Sequence, residues 1–212
     1  MQSFYNKDGK AIVMGMIKTV QANKEYLSEI DGAIGDGDHG INMSKGFTLC
    51  EARLKDKIIG FGESLSVLGD VLFNEIGGSM GPLYGLFFTE MGNSIRGDEI
   101  IDANSLNDML GEGIKALQEI VDAQVGDKTL MDALIPAKES MQKSIDEGED
   151  LITMLAKMKD AAAKGKDGTI SMVAKYGRAS RLGERSRGVI DPGAASCSLL
   201  LASMVDEINK LI

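Results

Sequence analysis

The 212-residue sequence has no tryptophan, only 5% aromatic residues, three prolines, two cysteines and one histidine. So few aromatics leave Leu, Ile, Met and Ala to fill an interior, a palette that suits helices. Cys50 and Cys197 are too few for a disulfide framework or a four-cysteine zinc site, which fits a reducing compartment. No apolar run approaches the ~20 residues of a membrane span, Leu199-Leu200-Leu201 being among the longest clusters. The first twenty residues carry Lys7, Asp8 and Lys10 and no extended apolar stretch, so no signal peptide is expected and the protein reads as cytoplasmic. Positive charge is short as well. The 23 Lys and Arg against 32 Asp and Glu, net −9, argue against non-specific binding to nucleic acid or to an anionic membrane. An anionic ligand would need a metal or a local group of cations.

What is abundant is helical periodicity and glycine. Apolar residues recur at helical spacing along Ile12, Met16, Val20, Leu27 and Ile30, then along Met43, Phe47, Cys50 and Leu54. Further stripes start at Leu65, Leu83, Leu106, Leu130, Leu151 and Cys197, and no alternating strand pattern competes. This predicts about eight helices with short connections, hence antiparallel neighbours, in one all-helical domain over 1–212. Both cysteines lie on these stripes, as core residues do. Pro136 is expected to kink its helix or shift its start, and the segment Lys164 to Thr169 either breaks the seventh helix or lets it run on toward Tyr176. Twenty-six glycines, about 12% where about 7% is usual, concentrate in a few short segments.

Four of those segments carry chemistry. The first, from Asp31 through Asp36-Gly-Asp38-His39-Gly40-Ile41-Asn42, holds three carboxylates and the only histidine. Spacings of five and two place the acids on no common helical face, so convergence requires a folded-back loop. Converging carboxylates repel, and a hard divalent cation such as Mg²⁺ resolves the repulsion; a solvated, helix-capping acidic turn is the plainer reading. The second, Gly77-Gly78-Ser79-Met80-Gly81-Pro82, is either an anion cradle at a helix N-terminus or a tight turn. The third, Gly126-Asp127-Lys128-Thr129, supplies an acid, a cation and a hydroxyl, or simply a helix cap. The fourth, from Gly177 to Gly193, gathers Arg178, Arg181, Arg185 and Arg187 before a capping Asp191-Pro192; these arginines either bind phosphate or decorate a solvated loop.

Familiar nucleotide motifs fail on inspection. Gly35 to Gly40 spells the dinucleotide fingerprint, but a helical stripe precedes it where a strand is needed. Read as a calcium loop from Asp36, the sixth position is Ile41 and the twelfth Phe47, neither of which fits. No P-loop pattern occurs. Acids for metal, glycine amides for phosphate and arginine for developing charge nevertheless share one logic, that of phosphoryl transfer.

These segments, in this order over nearly the whole chain, resemble the signature set of the nucleotide-binding L subunit of bacterial dihydroxyacetone kinase. The resemblance implies a barrel of about eight antiparallel amphipathic helices with the nucleotide and magnesium at one end. It implies that Asp31, Asp36 and Asp38 coordinate two Mg²⁺ ions bridging the phosphates of ADP or ATP. His39, Gly40, Ile41, Asn42, Gly78, Ser79 and Met80 would line the phosphates, with Gly126, Asp127, Lys128 and Thr129 also at the cofactor. Leu130 and the Asp191-Pro192-Gly193 turn would lie near the adenosine, and Arg178 would contact the nucleotide and act in catalysis. Met80 stands where the family commonly carries a second small hydroxyl residue, which removes one side-chain hydrogen bond to phosphate. The implied reaction is transfer to dihydroxyacetone held on a K subunit, the nucleotide being rephosphorylated by a phosphocarrier M subunit from phosphoenolpyruvate. A nucleotide-loaded regulator, a subunit of an ATP-dependent kinase for a related ketose and a histidine phosphocarrier are the alternatives, and self-association into a homodimer stays open.

Overall fold

The computed structural model describes residues 2–212. Among them are nine α-helices: α1 (Lys10–Ala22), α2 (Lys24–Ile34), α3 (His39–Leu54), α4 (Phe61–Glu75), α5 (Met80–Ser94), α6 (Ala103–Ile120), α7 (Met131–Asp146), α8 (Leu151–Gly168) and α9 (Pro192–Ile208). Helices α3 to α9 each pack on the next in sequence, α9 packs back on α1, and α1 on α3. That closes a ring of eight helices, with α2 laid outside it against α3 and α9. One buried apolar core runs through the ring, drawing Met16 from α1, Phe47 from α3, Phe88 from α5, Leu134 from α7 and Leu201 from α9.

The ninth helix arises because the first apolar stripe spans two helices. Asn23 separates α1 from α2, its side-chain amide donating to the Thr19 carbonyl at 2.8 Å in competition with the helical ladder. The chain then resumes a helix within one residue, so the periodicity carries across the break. A two-residue ladder, β1 (Phe4–Tyr5) against β2 (Ile100–Ile101), is too short to give a strand pattern in the sequence.

The two punctuation signals late in the chain form a single packing device. Pro136 lies inside α7, where it cannot donate to the Asp132 carbonyl four residues back. Gly165 of α8 packs against that same carbonyl; a Cβ there would stand 1.9 Å from it. The glycine therefore marks a close helix contact, and α8 runs unbroken to Gly168, short of Tyr176. A similar contact joins α4 and α5, where a Cβ on Gly69 would lie 2.6 Å from the Gly85 carbonyl. Much of the glycine excess thus serves helix contacts as well as loops. No helix among the described residues is long and apolar enough to cross a membrane.

Candidate nucleotide and metal site

At one end of the ring a cavity of about 360 Å³ is bordered by the starts of α3, α5, α7 and α9. Alternate helices thus present their N-termini to one space, as an up-and-down ring requires, and each brings backbone N–H groups and the positive end of a helix dipole. At α5, Ser79 in the cap position makes no side-chain cap bond, which leaves first-turn N–H groups free for a ligand.

The three acids reach the cavity from different supports. Asp31 sits on the last turn of α2, within the helix and not in the loop, and Asp36 lies in the turn. Asp38 holds the cap position of α3. Gly37, at φ 77°, lets the chain fold back between them. An Asp31 carboxylate oxygen accepts the His39 N–H at 3.1 Å, tying the end of α2 to the start of α3. One carboxylate oxygen from each acid lies within 4.8 Å of the others. Burial, then the charges of Asp36 and Asp31, hold the Asp38 carboxyl above its ordinary range. The cationic neighbour is Arg178, whose guanidinium forms an ion pair with Asp36. This crowding of negative oxygen is the donor set a hard divalent cation takes.

His39 lies beneath the acids. Burial pushes its imidazole down to about 4, the nearby Asp31 charge only partly opposing, so the ring is neutral at pH 7. Asn42, Gly78, Ser79 and Met80 line the cavity, Met80 being largely buried with its backbone in the first turn of α5. Leu130, Thr129, Asp191, Pro192 and Gly193 line the opposite wall. Asp191 caps α9, accepting the Ala194 N–H at 2.8 Å, and burial raises its carboxyl to about 7. Val121, Ala123, Leu83 and Ile34 supply an apolar surface of the kind a base would stack on.

Several sequence-derived residues sit elsewhere. Gly40 is buried where α3 meets α2, a Cβ there standing 2.1 Å from the Lys24 carbonyl, while the Ile41 side chain points outward and is 52% exposed. Neither they, nor Gly126, nor Asp127 lines the cavity. Asp127 is tied to Lys175 by an ion pair and hydrogen bond that hold its carboxyl below the usual range. Lys128 does line the cavity, but it is buried and its ammonium donates to the carbonyls of Val189 at 2.6 Å, Thr169 at 2.8 Å and Met172 at 3.4 Å. It fastens the segment that carries Arg178, and its own backbone is left-handed at φ 62°. Of the four arginines, Arg178 alone lines the cavity; Arg187 instead pairs with Glu184.

Sequence reasoning missed three residues that organise the site. Asp132 accepts the N–H of Gly126 at 2.6 Å and of Thr129 at 2.7 Å, while Thr129 Oγ1 accepts the Met131 N–H. The signal was a capping-box spacing from Thr129 to Asp132. Ser196 and Tyr84 form the polar floor under His39, Ser196 lying one turn beyond the Pro192-Gly193 corner. A larger, open groove of about 680 Å³ along α4 and α5 gathers no comparable acid cluster, and its Arg53 pairs with Asp70 and Glu75.

Comparison with known proteins identifies the family. The family model described as the DAK2 domain matches residues 33–206. The ADP-binding subunit DhaL of PEP-dependent dihydroxyacetone kinase 2 from Listeria innocua is 36% identical over 205 residues, 95% of this chain and 94% of that protein. The corresponding subunit of PEP-dependent dihydroxyacetone kinase from Escherichia coli is 36% identical over 180 residues, 84% of this chain and 85% of that one. The crystal structure of the dihydroxyacetone kinase of C. freundii (native form) superposes with a TM-score of 0.73 at 24% identity. It covers 95% of this chain and 34% of its own, and shares the all-helical fold. The chain therefore belongs to the DAK2 domain family, and the relatives it resembles over nearly their full length are ADP-binding subunits of dihydroxyacetone kinases.

Proposed function

We propose that this chain is the nucleotide-carrying subunit of a phosphoenolpyruvate-dependent dihydroxyacetone kinase. In this reading it holds ADP or ATP with magnesium and passes the terminal phosphoryl group to dihydroxyacetone on a partner K subunit. A phosphocarrier M subunit recharges the bound ADP. The observation that carries the reading is the convergence of Asp31, Asp36 and Asp38 at a cavity ringed by four helix N-termini.

The residues present fit magnesium. Three carboxylates with oxygens mutually within 4.8 Å, one of them held above its usual range by burial and then by its two acidic neighbours, form an oxygen-only donor set with excess negative charge. Asp31, Asp36 and Asp38 would hold two ions, which when bound supply charge neutralisation for the phosphates. The free N–H groups at the start of α5 and the side chains of His39 and Asn42 then orient phosphate oxygens. Arg178 already sits against the acids, and its forked guanidinium is suited to a phosphoryl group whose charge spreads during transfer. The apolar wall from Leu83, Val121 and Leu130 excludes water around the base. His39, half-buried and held neutral, suits hydrogen bonding and not covalent capture of phosphate. The test is single-turnover transfer from the ATP-loaded chain to dihydroxyacetone in the presence of a K subunit. Phosphorylated triose should form only with both chains and magnesium. Stable nucleotide loading without any transfer would replace the enzyme reading with that of a nucleotide-loaded regulator.

A further inference from the structure

Beneath the cavity three polar side chains form a continuous hydrogen-bonded chain. The Tyr84 hydroxyl lies 2.7 Å from Ser196 Oγ, and Ser196 Oγ lies 2.9 Å from Nε2 of His39. The Gly193 carbonyl is the competing acceptor, 3.1 Å from Ser196 Oγ and 3.3 Å from the Tyr84 hydroxyl. Tyr84 is 2% and Ser196 0% exposed, so their protons must be placed on these partners and not on bulk water. Nδ1 of His39 has no hydrogen-bond partner among the described residues, and the ring lines the cavity.

The protons can be counted. A neutral imidazole carries one N–H, and each hydroxyl one O–H. In one arrangement Tyr84 donates to Ser196, Ser196 donates to Nε2, and the ring proton sits on Nδ1. In the other, Ser196 donates to the Gly193 carbonyl, Nε2–H donates to Ser196, and Nδ1 shows a lone pair to the cavity. Two features favour the first. The Gly193 carbonyl already serves the first turn of α9. A bare lone pair on Nδ1 would face an acid-lined cavity, where an N–H is favoured by the carboxylates.

We propose that Ser196 and Tyr84 are positioning residues that lock His39 in its Nδ1–H tautomer, so that the ring always donates a hydrogen bond into the cavity. The directed chain runs Tyr84 to Ser196 to His39 to ligand. It rests on the nucleotide reading above for the identity of that ligand, and on the structure alone for the tautomer.

Because His39 is the only histidine, ¹⁵N-histidine labelling of the full-length protein yields one imidazole, whose couplings to the carbon-bound ring protons distinguish the tautomers. The wild-type ring should show a protonated Nδ1 and a lone pair on Nε2, and Ser196→Ala should give mixed tautomers. Tyr84→Phe keeps the ring stacked on Phe88, 5.8 Å between centroids, and should shift the ring in the same direction but less. Ser196→Ala should weaken Mg–ADP binding about fivefold, the worth of one hydrogen bond, and should have no further effect in a His39→Ala background. A wild-type ring protonated at Nε2 or at both nitrogens overturns the proposal. So does an unchanged tautomer in both variants, or an equal loss of affinity in the His39→Ala background. If the wild type binds no Mg–ADP the nucleotide reading fails, while the spectra still decide the tautomer lock.

Discussion

Replacing Asp38 by Asn should have opposite effects with and without metal. Without metal, three carboxylate oxygens lie within 4.8 Å of one another. Two unit charges at that spacing repel by about 0.9 kcal/mol in a water-like dielectric and by about 3.5 kcal/mol at an effective dielectric of 20. Asp36 and Asp38 are exposed and Asp31 half-buried, so the lower figure applies to each pair. Neutralising Asp38 relieves two pairs, about 2 kcal/mol. Against this stand about 0.5 kcal/mol of favourable interaction with the start of α3 and a similar screened attraction to Arg178. Asn keeps the shape of the side chain and its contact with Asn42. The net gain is about 1 kcal/mol, a rise of roughly 2–4 °C in Tm for a chain of this length. Thermal unfolding in chelator should show that rise, shrinking in molar salt as screening grows. With Mg–ADP the order should reverse, because the wild type alone gains full ligand stabilisation. A variant less stable than wild type in chelator would contradict this and make Asp38 a structural cap.

Three further outcomes follow from the same geometry. Arg178→Lys should largely preserve Mg–ADP binding yet lower single-turnover transfer by about 10²-fold, because an ammonium cannot reproduce the fork; an unchanged rate would make Arg178 a solvated loop cation. Lys128→Met leaves the buried carbonyls of Thr169 and Val189 without their donor and should cost about 3 kcal/mol, roughly 6–12 °C in Tm, measured by thermal unfolding, and a variant as stable as wild type would contradict the role assigned to that ammonium. Asp191 keeps its proton to about 7 in the folded chain but loses it near 3.8 when unfolded, so the unfolded state binds fewer protons in that window and stability falls as pH rises through it. In urea unfolding, Asp191→Asn should match wild type near pH 4 and exceed it near pH 8, by at most about 4 kcal/mol; parallel pH curves would contradict this.

The sequence disclosed the helices wherever an apolar stripe had one owner. Where Asn23 broke the helix without breaking the period, two helices read as one. Glycine was legible as loop chemistry at Gly37 and Gly78, both with positive φ, but Gly165 and Gly69 serve contacts between helices distant in sequence, which no local pattern reveals. The acid cluster was legible because three carboxylates in eight residues have few neutral explanations; its assembly from a helix end, a turn and a cap was not. Lys128 was expected at the cofactor and does line the cavity, but the tie that holds its ammonium was not legible, because its three carbonyl partners come from segments 41 to 61 positions away. Ser196 carried no signal of its own, since a small hydroxyl on a buried helix face is ordinary until His39, 157 residues earlier, is brought against it.

The central claim is that the three acids hold the cation through which the nucleotide is bound. It is tested most directly by denaturing the purified protein, identifying the released small molecules by mass, and repeating this after dialysis against chelator. The untreated wild type should release an adenine nucleotide and magnesium. Both should be lost together in chelator, and both should be absent from Asp36→Asn. Full nucleotide occupancy in chelator, or in Asp36→Asn, would contradict it.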